Sequence, residues 1–84
     1  MKVYGTFICP DCPPVKKLLD EKQVEYSFMN ITEDILILKE FLKLREEREE
    51  FSQIKKDGNV GIPCMLKDDG KILFYDEILD KYGK

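Results

Sequence analysis

Cys9-Pro10-Asp11-Cys12 places two thiols in a C-x-x-C spacing, and a third, Cys64, follows Pro63 much later in the chain. Two chemistries are open to such a pair: thiol–disulfide exchange, or part of a zinc or iron–sulfur site. In exchange, a thiolate attacks a disulfide and a second nearby thiol releases the resulting mixed disulfide. Cys9 would attack and Cys12 would resolve. Structural zinc takes four Cys or His ligands, whereas this chain offers three cysteines and no histidine. A metal would therefore need Cys64 folded onto the pair, with a carboxylate or a second chain as the last ligand. That shortage favours redox work and leaves a metal or iron–sulfur carrier as a rival reading. The lack of histidine also removes the commonest general base. Cys64 reads either as a small buried hydrophobe or as a third redox thiol, near Cys9, able to form an alternative disulfide or carry a reversible cap.

A C-x-x-C needs an element to aim it. Val3–Ile8 is rich in β-branched and aromatic residues and predicts a buried strand. Pro13-Pro14 suits a helix start, and Val15, Leu18 and Leu19 recur at helical spacing through about Lys22. The positive end of that helix would favour an anion on the first thiol. Val24–Asn30 alternates and predicts a second strand, giving a βαβ unit with a parallel pair. Thr32 followed by Glu33 and Asp34 predicts a helix start, with Leu38, Phe41 and Leu42 as its apolar stripe. The charged run Leu44–Glu50 reads as a solvated helix face with spaced ion pairs. Phe51 and Ile54 resume the period, so two helices or one bent helix are expected, ended by Gly58. Gly61–Leu66 and Lys71–Phe74, joined by Asp68-Asp69-Gly70, predict a β-hairpin. Asp76 would cap a last helix carrying Ile78, Leu79 and Tyr82. The expected fold is α/β, a mixed four-stranded sheet flanked by helices in the order βαβ-αα-ββα, in one domain spanning residues 1–84.

Bulk properties narrow the partners. Eighty-four residues make one small domain with a thin core. Apolar residues at 43% and charged residues at 37% indicate a globular chain rather than a disordered one. The net charge of −3 comes without a basic stripe, so nucleic acid is not an expected partner. Ile35–Leu38, the longest apolar run, is far too short to span a bilayer. No signal-peptide pattern precedes the strand-like start, and an odd cysteine count argues against a secreted disulfide scaffold. A cytoplasmic monomer without membrane contact is expected.

With these motifs placed, the chain resembles the glutaredoxin branch of the thioredoxin superfamily over nearly its whole length. The strand running into Cys9-Pro10-Asp11-Cys12, the βαβ…ββα order and Gly61-Ile62-Pro63 carry the likeness. The resemblance implies a thioredoxin fold, a cis Pro63 lying against the cysteine pair, and an Ile62 backbone that pairs with an extended substrate or glutathione. A bare edge-strand start is the plainer reading of Pro63. It further implies a thiol–disulfide oxidoreductase with Cys9 and Cys12 catalytic and Ile62, Pro63 and Asp11 at the substrate. No bound cofactor is implied; glutathione or a thioredoxin-reductase-type flavoprotein would supply electrons, and protein or small-molecule disulfides would be reduced.

The chain departs from the family at several places. Asp11 stands where an aromatic residue is common, and an acid there opposes a thiolate and makes the pair more reducing. Thr6 stands where many glutaredoxins carry a glutathione-binding lysine. Phe74-Tyr75-Asp76-Glu77 replaces a Gly-Gly-acid stretch. The segment before Pro63 is long, and its charged part, Arg45–Lys56, is a candidate partner surface. These departures tilt the expected donor towards the flavoprotein. A low-turnover binding module that keeps the fold is the alternative to an enzyme.

Overall fold

Val3 and Tyr4 are strong strand formers on β1 (Lys2–Gly5), and as neighbours on one strand their side chains point to opposite faces. The computed structural model, which describes residues 1–83, puts β1 inside a sheet of order β2-β1-β3-β4. β2 (Ser27–Asn30) runs parallel to β1, while β3 (Cys64–Leu66) is antiparallel to β1 and β4 (Ile72–Leu73) to β3. Helix α1 (Cys12–Glu21) links the parallel pair. Between β2 and β3 lie α2 (Ile35–Glu47) and α3 (Ser52–Lys56), and α4 (Tyr75–Tyr82) follows the hairpin. This is the expected order and the expected mixed four-stranded sheet.

Strand alternation divides the core. Val3 stands opposite Met65, and both pack with Val15, Leu19 and Ile78 beneath α1 and α4. Tyr4 stands opposite Cys64, and both pack with Phe41, Phe51 and Ile72 on the other face. Phe51 meets Phe41 and Phe74 edge-on at centroid distances of 5.8 and 5.0 Å. Burying each large apolar side chain here contributes roughly 1.5–3 kcal/mol.

Several boundaries differ from expectation, each for a local reason. β1 stops at Gly5 rather than Ile8, because the Thr6 carbonyl turns inward to accept the Cys9 N–H at 3.3 Å. Phe7 and Ile8 are consequently exposed. β2 starts at Ser27, since Gln23 takes a left-handed turn (φ 57°) and the Val24 N–H returns to the Leu19 carbonyl. Asp34, not Thr32, caps α2; its carboxylate accepts the Leu36 N–H at 2.8 Å. Tyr75, not Asp76, opens α4, and the Glu77 carboxylate accepts the Phe74 N–H at 3.3 Å. Gly58, in a left-handed conformation (φ 74°), follows α3 as expected.

The acids of the charged run face solvent as expected, with Glu50 paired to Arg48 at 2.7 Å, whereas its two arginines are half-buried. The chain becomes extended at Arg48 (φ −100°, ψ 134°), which separates α2 from α3. Arg45 donates to the carbonyls of Val60 and Asn59 at 3.0 and 2.8 Å, and Arg48 donates to the Gly70 carbonyl at 2.9 Å. These arginines pin the loops that lead into and out of β3.

Gly61 lies at the centre of the first pinned loop. Its φ is +98°, and a Cβ there would stand 2.8 Å from the Phe51 ring. Gly70 has a similar φ of +88° with nothing within 4 Å. Gly61→Ala should therefore cost about 3 kcal/mol in urea denaturation, strain plus clash, and Gly70→Ala only about 1 kcal/mol. Equal losses would show that the Phe51 contact does not constrain the loop.

Candidate active site

The cysteine loop begins where β1 ends. Pro13 and Pro14 lack N–H groups and suit the first turn of α1, where such groups have no partner within the helix. Thr6, only 4% exposed, ties the loop together. Its carbonyl accepts the Cys9 N–H, and its hydroxyl oxygen accepts the Ile8 N–H at 3.4 Å. The Thr32 hydroxyl donates to Asn30 at 2.6 Å, so its single proton is used there. The Thr6 hydroxyl, 2.8 Å from Thr32, must then be the donor between them. The Thr6 backbone N–H points to the Cys12 sulfur. One residue thus positions both cysteines, a role that its place in the sequence did not reveal.

Cys9 is half-buried and Cys12 is buried, both as free thiols, with Cys9 near enough to act electrostatically on Cys12. Burial pushes the Cys12 thiol up to about 12; the Thr6 N–H opposes this, while Cys9 and Asp11 add to it. Cys12 fits because Gly5 lies against it: a Cβ at Gly5 would stand 2.9 Å from the Cys12 sulfur. Gly5 is therefore a positioning residue, and the sequence shows it only as a glycine within a strand.

A groove of about 490 Å³ opens beside Cys9. The cysteine loop contributes Thr6, Ile8, Cys9 and Asp11; α3 and the loop after it contribute Ile54 and Asn59–Pro63; Phe74 and Tyr75 complete the lining. Cys9, Asp11, Ile62 and Pro63 are thus brought together, with Cys12 behind them. Pro63 is buried and follows Ile62 through a cis peptide bond. Among the described residues, no hydrogen bond engages the Ile62 N–H or carbonyl. Asp11 is exposed, and its side chain does not cap α1. Phe7, beyond the groove, stacks on Phe28 at 5.0 Å.

Cys64 does not join the pair. Although it follows Pro63 directly, its side chain lies with Tyr4, Phe41 and Phe51 on the opposite face of the sheet from Cys12. Burial pushes its thiol up to about 12. The reading that puts a third redox thiol near Cys9 gives way to that of a small buried hydrophobe. Among the described residues, no group of three or more His, Cys, Asp or Glu side chains is placed to hold a metal ion.

The glutaredoxin family model matches residues 1–69. The chain belongs to the glutaredoxin family. A Haemophilus influenzae protein described as uncharacterized is 35% identical to it over 65 residues, covering 77% of this chain and 76% of the relative. No solved structure matches it. Membership brings the thioredoxin-like α/β fold and a redox-related function to a glutaredoxin whose groove has its own character. Among the described residues, no helix is long and apolar enough to cross a membrane.

Two expectations follow from the thiol geometry. Folded, reduced protein treated with iodoacetamide at about pH 8 should be alkylated at Cys9, because a thiol held at about 12 is only about 0.01% ionised there. Cys12 and Cys64 should react only on unfolding or as the pH rises towards 12. Their raised values stabilise the fold below pH 9.0, and that contribution falls as unfolded-state thiols ionise between 9.0 and about 12. Equal labelling of all three cysteines at about pH 8 would contradict this placement. Gly5→Ala should displace Cys12 and slow resolution of a Cys9 mixed disulfide by on the order of tenfold. Its Cys9 alkylation rate should stay near that of the parent, and stopped-flow quenching with mass analysis would separate the two steps.

Proposed function

We propose that this glutaredoxin is a dithiol–disulfide oxidoreductase that reduces disulfides through Cys9 and Cys12. The carrying observation is the pairing of a half-buried Cys9 on an open groove with a buried Cys12 beside it at the start of α1. Cys9, as thiolate, attacks one sulfur of the substrate disulfide; a new S–S bond forms and the other substrate sulfur leaves as a thiolate. Cys12 then loses its proton and attacks the Cys9 sulfur. This closes the Cys9–Cys12 disulfide and frees the second substrate sulfur. Two electrons pass to the substrate, which takes up two protons.

The environment of Cys12 supports this order. Before attack, burial and the neighbouring Cys9 both favour its protonated thiol, so it does not compete as nucleophile. Once Cys9 is bound in a mixed disulfide it carries no charge, and the Thr6 N–H remains to stabilise the Cys12 anion. Ile62 is the proposed backbone shelf for an extended substrate, held against the pair by Pro63.

Electrons to regenerate the dithiol come from glutathione or from a thioredoxin-reductase-type flavoprotein. The absence of any lysine or arginine among the groove-lining residues favours the flavoprotein. A cytoplasmic setting suits a dithiol cycle, and a monomer is sufficient because one chain supplies both sulfurs.

Steady-state reduction of a small disulfide, coupled in parallel to glutathione with glutathione reductase and to a thioredoxin reductase, tests this reading. Turnover should be faster with the flavoprotein alone and should vanish in Cys9→Ser. Cys12→Ser should accumulate mixed disulfides visible by mass. Undiminished turnover in Cys9→Ser would overturn the mechanism.

A further inference from the structure

Resting on the dithiol reading, we propose that the groove selects an extended, apolar segment of a disulfide-bonded protein with a basic residue beside its cysteine, and discriminates against anionic disulfides. Asp11 is the charge-selecting residue.

The charge pattern of the groove carries this. Asp11 is the one charged residue among those lining it. Two cations on the surrounding elements are turned to other work. Arg45 is spent on the carbonyls of Val60 and Asn59, and Lys16 pairs with Asp20 at 2.9 Å. Lys55 and Lys56 lie outside the lining, although Ile54 of the same helix belongs to it. A ligand with two carboxylates, such as glutathione, would bring them to a groove that offers no cation and one anion. A lysine or arginine next to the substrate cysteine would meet the exposed Asp11 carboxylate while Cys9 engages the sulfur.

The shape points to the same occupant. Ile8 is 82% exposed and Val60 is 53% exposed, and both border the groove. Exposed apolar side chains beside a reactive cysteine fit the apolar side chains of a partner segment. The free N–H and carbonyl of Ile62 fit the backbone of an extended chain. The exchange is the balanced one described above, with the reduced protein as the electron source in a single turnover.

The test measures single-turnover oxidation of the reduced protein by three probes at low salt: matched apolar peptide disulfides flanked by Lys or by Glu, and oxidised glutathione. The Lys peptide should react about three- to tenfold faster than the Glu peptide, with oxidised glutathione slowest. Added salt should narrow the gap. In Asp11→Asn the Lys-to-Glu ratio should fall towards unity. Because a ratio within one variant cancels any change in the intrinsic reactivity of Cys9, this readout isolates charge selection. Asn59→Lys, which adds a cation to the lining, should speed oxidised glutathione severalfold relative to the Lys peptide. Equal peptide rates, a preference that persists in Asp11→Asn, or oxidised glutathione outpacing the Lys peptide would each overturn the selectivity while leaving the dithiol chemistry standing. Failure of all three probes to oxidise the Cys9–Cys12 pair would instead overturn the dithiol reading, and this proposal with it.

Discussion

Thr6 must satisfy every polar group it carries while almost out of reach of water, and the site is built around that constraint. A buried donor or acceptor without a partner costs about 1–3 kcal/mol. Thr6 meets the demand by accepting the Cys9 N–H on its carbonyl and the Ile8 N–H on its hydroxyl oxygen, donating its hydroxyl proton to Thr32 and turning its own N–H towards the Cys12 sulfur. These bonds end β1 early, fold the cysteine loop back on the sheet and tie it to the loop after β2. They also explain why this position offers no cation to a ligand. A lysine there would need its ammonium in solvent and would surrender the hydroxyl bonds. The absence of a glutathione-type lysine and the clamping of the loop are thus one choice made at one position.

The electrostatics of the loop follow from its neighbours. The first turn of a helix normally supplies free N–H groups to a nearby anion. Here Pro13 and Pro14 have none, and the Cys12 N–H is given to the Cys9 carbonyl. Asp11 adds negative charge, and burial holds Cys12 as a thiol. Held protonated, Cys12 would leave attack on a substrate to Cys9 and enter only to resolve the mixed disulfide. The surroundings of the pair therefore suit the proposed order of attack.

The sequence made the cysteine motif, the family and the element order legible because their signals are local. C-x-x-C, the helical spacing of Val15, Leu18 and Leu19, and the Asp68-Asp69-Gly70 turn can be read within a few residues. The misses arise where tertiary demands override local preference. Phe7 and Ile8 are strong strand formers, yet the bonds of Thr6 remove them from the sheet. Arg45 and Arg48 sit in a run that reads as solvated, yet they serve backbone carbonyls distant in sequence. Nothing in the letters around Gly5 shows that the Cys12 sulfur fills the space a side chain would take. The orientation of Cys64 was within reach, since strand alternation puts it and Met65 on opposite faces.

That alternation also gives Cys64 a structural meaning. The two sides of the groove come from segments far apart in the chain, joined through the pairing of β1 with β3. Tyr4 opposite Cys64 sets that register, and a slip by one residue would exchange the faces of every side chain on β3. Cys64 would then face the α1 side, where Cys12 lies, and Met65 would be driven into the space beside Tyr4, Phe41 and Phe51. A small thiol fits among those three rings, whereas the longer Met65 fits between Val15 and Ile78 beneath the helices of the other face. The size difference between adjacent residues resists the slip. The third cysteine thus helps keep Ile62 and Pro63 facing the cysteine pair by remaining buried on the far side of the sheet from it.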